Sequence, residues 1–301
     1  ALHSSSVRRR RLFEYRVENA ALGGLLHVAE VLAVGGLIFY AVWGLSYFRP
    51  PAMERLGLVA VVPGEKPETG AWVREVAAIA VRRTNEAYRA LHGSDDAGKP
   101  TEVAADAPVD AWVDRGYEAL AARLKLPPSF ADGRGAAKTP WLSVAMSWAG
   151  VGGIYVPFTG EATVNGGPPA WGRVVTLAHE KAHQRMVASE DEATFFGILA
   201  CLSSDRPLLR YAGWEAATRQ LLRAVAVEDR GEAARLRATL SAGVRRDQED
   251  LAAWWEQYTG PMEQVANWMN DRYLRANRVE GGTAAYVPFT GEATVNGGPP
   301  A

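Results

Sequence analysis

Residues Val174 to Met186 read VVTLAHEKAHQRM, and the apolar spacing around His179, Glu180 and His183 predicts an amphipathic helix carrying H-E-x-x-H. Positions i and i+4 of an α-helix share a face one turn apart, so two imidazoles can reach a single Zn²⁺ at about 2.0–2.1 Å. The intervening Glu180 falls beside the open coordination position. There it can take a proton from water that the cation has acidified from about 15.7 toward about 7. His179 and His183 therefore read as zinc ligands and Glu180 as the general base.

Helical patterns continue on both sides of this segment. Upstream they cover Ala71 to Leu91 and Val109 to Leu126, the second stopping at Pro127-Pro128. Downstream they cover Glu190 to Leu202, Tyr211 to Val227, Gly231 to Tyr258 and Pro261 to Asn277, with Trp254, Trp255, Tyr258 and Trp268 expected in the core. Between Trp141 and Asn165 the pattern changes to glycines and then IYVPFTGEATVN. Its β-branched and aromatic residues predict short strands, one of them at an edge because Pro157 interrupts it. The expected fold is mostly α with a small β-sheet, an α+β zincin-like domain.

A third ligand has to come from elsewhere. His3, His27 and His92 lie before the domain or in a polar loop, and Cys201 is the only cysteine, so the third ligand is expected to be a carboxylate. SEDEATFFGILACL, Ser189 to Leu202, offers Glu190, Asp191 and Glu192. Each also fits a helix N-terminus, where acids complement the dipole and Ser189-x-x-Glu192 forms a capping box. At 100° per residue, Phe195, Ile198, Leu199 and Leu202 mark the apolar side; Glu190 falls opposite it, while Asp191 and Glu192 both flank it. Periodicity does not choose between the last two.

The chain has 301 residues, a net charge of -1 and only one basic cluster, Arg8 to Arg11, so nothing draws it to nucleic acid. The lone cysteine excludes an internal disulfide framework and any CxxC site. Ala20 to Phe48 holds only His27 and Glu30 as ionisable groups, and Val31 to Phe48 carries no charge. Those residues rise about 27 Å as a helix, near the thickness of a bilayer core. Trp43 and Tyr47 form an aromatic belt ahead of Arg49-Pro50-Pro51, and the basic cluster puts the N-terminus in the cytoplasm. Residues 1–19 are thus expected to be a basic cytoplasmic end, 20–48 a transmembrane helix, and 49–285 an extracytoplasmic metallopeptidase domain joined through a connector at Glu54 to Thr69. Residues 286–301 repeat Tyr155 to Ala170 without a change, YVPFTGEATVNGGPPA, and read as an assembly scar.

The combination of WGLSYFRPP (Trp43 to Pro51), GGIYVPFTGEATVN (Gly152 to Asn165), HEKAHQ (His179 to Gln184), EDEATF (Glu190 to Phe195), RYAG (Arg210 to Gly213) and NDRYLRAN (Asn270 to Asn277) resembles a bacterial family of uncharacterised, membrane-anchored proteins with zinc-metallopeptidase motifs. The likeness runs from about Val31 to Tyr286. It implies a bacterial inner-membrane, single-pass protein acting on a peptide or protein substrate, with zinc at His179 and His183, catalysis by Glu180 and Glu192 as third ligand. Thr194 departs from the asparagine usual in the E-x-E-A-N-F motif, and relatives often show more than one span.

Other positions carry two readings. Tyr211 either donates its hydroxyl to a tetrahedral oxyanion or packs as an aromatic. The strand around Tyr155 to Val164 is a candidate edge for an extended peptide, and Glu161 and Asn165 either face that site or shape a turn. The competing functional class is a non-catalytic membrane scaffold stabilised by zinc, which would close the metal's tetrahedron with a fourth protein ligand where an enzyme leaves it open.

Overall fold

The computed structural model describes residues 2–50, 54, 67–260, 264–266, 268, 271 and 272, with side chains from Leu22 onward except at 67–69. Outside these residues lie most of the connector read at 54–69, much of the helix read at 261–277, the repeat at 286–301 and the side chains of Arg8 to Arg11. The chain divides into two units, Ala1–Leu45 and Ser46–Ala301.

In the first unit, α1 runs from Leu2 to Val42. Its segment Leu22–Val42 is long and apolar enough to cross a membrane, with a mean hydropathy of 2.0 and none of that window buried. The regular helix stops before the expected Phe48, and Gly44–Phe48 tightens into a 3₁₀ turn.

The second unit is mostly helical with one small sheet. In order it contains α2 (Pro67–His92), α3 (Val109–Leu124), α4 (Pro128–Ala131), α5 (Ser143–Trp148), β1 (Gly153–Val156), β2 (Glu161–Val164), α6 (Arg173–Gln184), α7 (Glu190–Ser203), α8 (Pro207–Glu228), α9 (Arg230–Ala238) and α10 (Ala242–Glu256). The strands form an antiparallel hairpin in register Gly153 with Val164 through Val156 with Glu161, and Pro157 sits in its turn. Helix α6 lies at the centre, every residue from Val174 to Gln184 buried. The hairpin and α7 pack against α6, α8 packs against α7, and α2 lies along α8. The core gathers Tyr88, Tyr117, Leu120, Trp171, Val174 and Leu209.

The α6–α7 contact is close because small residues face it. A β-carbon on Gly197 would come within 2.9 Å of the backbone nitrogen of His179, so glycine there sets how near the two helices approach. The single helix expected at Gly231 to Tyr258 is two. Asn85 of α2 donates to the carbonyl of Thr239 at 2.9 Å and accepts from the Ser241 N–H at 2.8 Å, satisfying the backbone at the break, and Asp229 caps α9 through the Glu232 N–H. Of the aromatic set expected in the core, Trp255 is buried and Trp254 and Tyr258 are half-buried, but Trp268 is exposed beside Arg272.

Candidate metal centre

The C-terminus of α6 sets the site. Met186 adopts a left-handed backbone (φ 63°), the Val187 N–H bonds to the carbonyl of Ala182 and the Met186 N–H to that of His183. This is a Schellman turn with methionine where glycine is usual. It swings the chain back so that α7 begins beside the histidines, and it presents the Val187 carbonyl to His183 Nδ1, which donates to it at 2.6 Å. A carbonyl can only accept, so the neutral His183 ring keeps its lone pair on Nε2.

The two imidazoles converge as helix spacing expects, with Nε2 atoms 3.1 Å apart. Glu190 Oε2 completes a triangle, 3.0 Å from His179 Nε2 and 3.4 Å from His183 Nε2. His179 meets the Thr194 hydroxyl through Nδ1 at 3.1 Å, so with that proton given to Thr194 its Nε2 also bears a lone pair. Three electron-rich atoms then face one another in a buried space, which requires a cation or a proton between them. Ligand atoms about 2.0–2.1 Å from zinc at tetrahedral angles lie about 3.3 Å apart, close to all three edges. Among the described residues these three are the group suited to hold a metal, and no fourth histidine, cysteine or carboxylate joins them.

Glu190, not the Glu192 that resemblance implied, supplies the carboxylate of this group. Large apolar residues misled the helical wheel: of the four that marked the apolar side only Ile198 is buried, Phe195, Leu199 and Leu202 being half-buried, and the other buried residues of α7 are Ala193, Thr194, Phe196, Gly197, Ala200 and Cys201. One turn back from Thr194, on the same face, is Glu190. Asp191 is exposed at the helix start and takes a hydrogen bond from Ser189.

Charge is distributed accordingly. Burial opposes protonation of His183, but the Glu190 charge and hydrogen bond outweigh it and push the imidazole up to about 9. Burial works against the Glu190 carboxylate too, yet the histidines hold it far below the usual range. Glu180 is buried, and desolvation raises its pKa. No described side chain hydrogen-bonds its carboxylate. Beside it runs β1: a β-carbon on Gly153 would lie 2.4 Å from Glu180 Oε1. The Asn165 N–H bonds to the carbonyl of Gly152, so by antiparallel alternation the N–H and C=O of Gly153 turn away from β2.

The family profile described as "Protein of unknown function (DUF3810)" matches residues 4–291. The chain belongs to that family. No curated protein and no solved structure matches it.

The remaining expected site residues of this DUF3810 chain fall in different places. Tyr155 stays at the site, its ring 6.0 Å from that of His183 and its phenol pKa raised by burial. Glu161 lies in the hairpin and pairs with Lys138. Asn165 is fully buried and structural: it donates to Ser147 Oγ at 3.0 Å and to the Val151 carbonyl at 3.1 Å, and accepts from the Gly167 N–H. Tyr211 is not available to an oxyanion. Its hydroxyl donates to Asp247 at 2.6 Å in the core, among Tyr88 and Trp171, and Asp247 also accepts from the N–H and hydroxyl of Thr101.

A buried cationic pair on the far side of α6 went unread in the sequence. Lys181 Nζ reaches Asp110 at 2.7 Å and Asp114 at 3.0 Å, while Arg185 reaches Asp114 at 2.9 Å and lies over the Tyr117 ring. The signal was present: Asp110 and Asp114 are spaced i, i+4 on α3, as are Lys181 in the last turn of α6 and Arg185 just past its end.

Proposed function

We propose that this protein is a membrane-tethered, zinc-dependent peptidase in which His179, His183 and Glu190 hold the metal and Glu180 is the general base. The observation that carries the reading is the convergence of three lone-pair donors next to a buried carboxylate with no described hydrogen-bonding side chain. Zinc bound there would polarise a scissile carbonyl and acidify water. Glu180, its basicity increased by desolvation, accepts the proton released when water attacks and later passes it to the leaving amine. β1 lies alongside, and the outward N–H and C=O of Gly153 suit an extended peptide laid antiparallel to it. Tyr155 lines the same side of the hairpin.

A group of three donors among the described residues favours an enzyme over the zinc-stabilised scaffold, since a structural site closes with a fourth protein ligand. Leu22–Val42 serves as the tether in a bacterial inner membrane, with the domain outside the cytoplasm. Metal analysis of the purified full chain, paired with cleavage of a broad peptide library, tests the reading. About one zinc per chain is expected in the wild type and in Glu180→Gln, with turnover lower by several decades in the variant. Wild-type turnover in Glu180→Gln, or a chain that binds no zinc, would overturn it.

A further inference from the structure

From Thr139 to Gly160 the chain carries no charged residue, and this run holds the most exposed tryptophan of the described domain. Trp141 is 89% exposed, Val144 63%, Leu142 46% and Trp148 43%. Helical spacing puts Trp141, Val144 and Trp148 on one side of the turn-and-helix segment around α5. The other side is fixed to the body: Met146 and Ser147 are buried, and Ser147 Oγ accepts from Asn165. Ile154 and Phe158, also exposed, continue the apolar character through the hairpin.

We propose that this face of α5 docks on the lipid bilayer, inserting Trp141, Leu142 and Val144 at the headgroup boundary. The proposal rests on the reading of Leu22–Val42 as a membrane tether. The second unit begins at Ser46, four residues after Val42, and Arg49 donates to the carbonyl of Met186 at 3.3 Å, so the domain starts within a few residues of the tether and stays within range of the surface. Amphipathic aromatics without nearby charge are suited to the interfacial zone, where the ring is half-solvated. A second copy is a poorer occupant, because a stable protein interface needs about 800 Å² from each partner and some 20 residues a side.

The test uses the full chain reconstituted in phosphatidylcholine–phosphatidylglycerol vesicles, with a fluorophore on single cysteines at Val144, Ile38 or Val227. Cys201 is buried with its thiol pushed up to about 12, so it does not compete for label. Lipid-borne and aqueous quenchers are compared. The lipid-to-aqueous quenching ratio at Val144→Cys should exceed that at Val227→Cys, an isolated exposed site on α8, by at least about threefold. Adding Trp141→Glu and Leu142→Lys should return it to the Val227 level while Ile38→Cys stays deeply quenched by lipid. Quenching at Ile38 without quenching at Val144 overturns docking alone; loss at both overturns the tether as well. Shielding of Val144 from the aqueous quencher that grows with protein-to-lipid ratio, without lipid quenching, assigns the face to a second copy and also overturns the proposal. Hydrolysis enters none of these readouts, so they stand apart from any failure of the peptidase reading.

Discussion

Gly153 and Glu180 are packed so closely that no larger residue fits at 153 without moving one of them: an added β-carbon would lie 2.4 Å from Oε1 and 2.7 Å from Cγ of Glu180. The glutamate is the softer partner, since its side chain can turn about its Cα–Cβ and Cβ–Cγ bonds while the strand is pinned by its ladder to β2. Gly153→Ala should therefore displace the proposed general base and spare the fold. A displacement near 1 Å at a reacting group costs on the order of 10²-fold in rate. Steady-state kinetics should show kcat reduced by about that factor, with the circular dichroism spectrum and zinc content unchanged. Unaltered kcat would mean that Glu180 is not confined by β1.

Asp114 holds two cations whose side chains are wholly buried, Lys181 at 3.0 Å and Arg185 at 2.9 Å, and is itself 21% exposed. Without Asp114, Lys181 keeps its bond to Asp110 but buried Arg185 loses its carboxylate, and an uncompensated buried cation costs about 3 kcal/mol. Asp114→Ala should lower stability by about that amount in denaturant titration. Exposed Glu118 on the same helix is the control, and Glu118→Ala should stay within about 0.5 kcal/mol of the wild type.

How far the sequence revealed this arrangement depended on which physical signal each residue carried. The i, i+4 histidines and the helical periods were legible because they are local, and so were the apolar stretch and the short strands, although Pro157 marks the turn between β1 and β2 and not an interrupted edge strand. Glu190 was misplaced because half-buried Phe195, Leu199 and Leu202 dominate the hydrophobic pattern of α7, whereas its contact with α6 runs through Thr194 and Gly197. Close helix packing selects small residues, and a hydrophobicity pattern discounts them. Tyr211 was undecidable locally: its partner, Asp247, is 36 residues away and meets it only through the packing of α8 and α10. The break between α9 and α10 was hidden for the same reason, since Asn85 satisfies it from across the domain.

Metal removal should expose a pH dependence that the loaded protein lacks. His183, ordinarily near 6.5, is pushed up to about 9 by Glu190. A histidine whose folded pKa lies above its unfolded value contributes stability fully below about 6.5, and that stability is lost as pH rises through about 9. Glu190, held low, acts in the opposite sense, its contribution present above the ordinary carboxylate range and lost on acidification. Chelated protein should accordingly be most stable between about pH 5 and 6.5 and lose up to about 3 kcal/mol by pH 9. Thermal melts across this range, with and without zinc, check it. A flat profile for the chelated protein would mean that no proton is held within the triangle.

The third ligand gives the sharpest test, because resemblance and geometry disagree over two residues of the same helix turn. Glu190 Oε2 stands 3.0 Å and 3.4 Å from the two Nε2 atoms, whereas Glu192 is not in the group. Losing a ligand removes both a bond and the charge that offsets the cation, and disturbing even the partners of a ligand costs about 10–100-fold in affinity. Glu190→Ala should weaken zinc binding by at least about 100-fold, while Glu192→Ala leaves it within about threefold of the wild type. Glu190→Gln separates charge from shape: its amide oxygen can still reach the metal, but the pull on both imidazoles is gone, so affinity should fall to a value between those of the wild type and Glu190→Ala. Competition titrations with a chromogenic chelator read all three variants on one scale. If Glu192→Ala loses zinc and Glu190→Ala retains it, the carboxylate beside the histidines is only a hydrogen-bond acceptor, and α7 must rotate by about two residues when the metal binds.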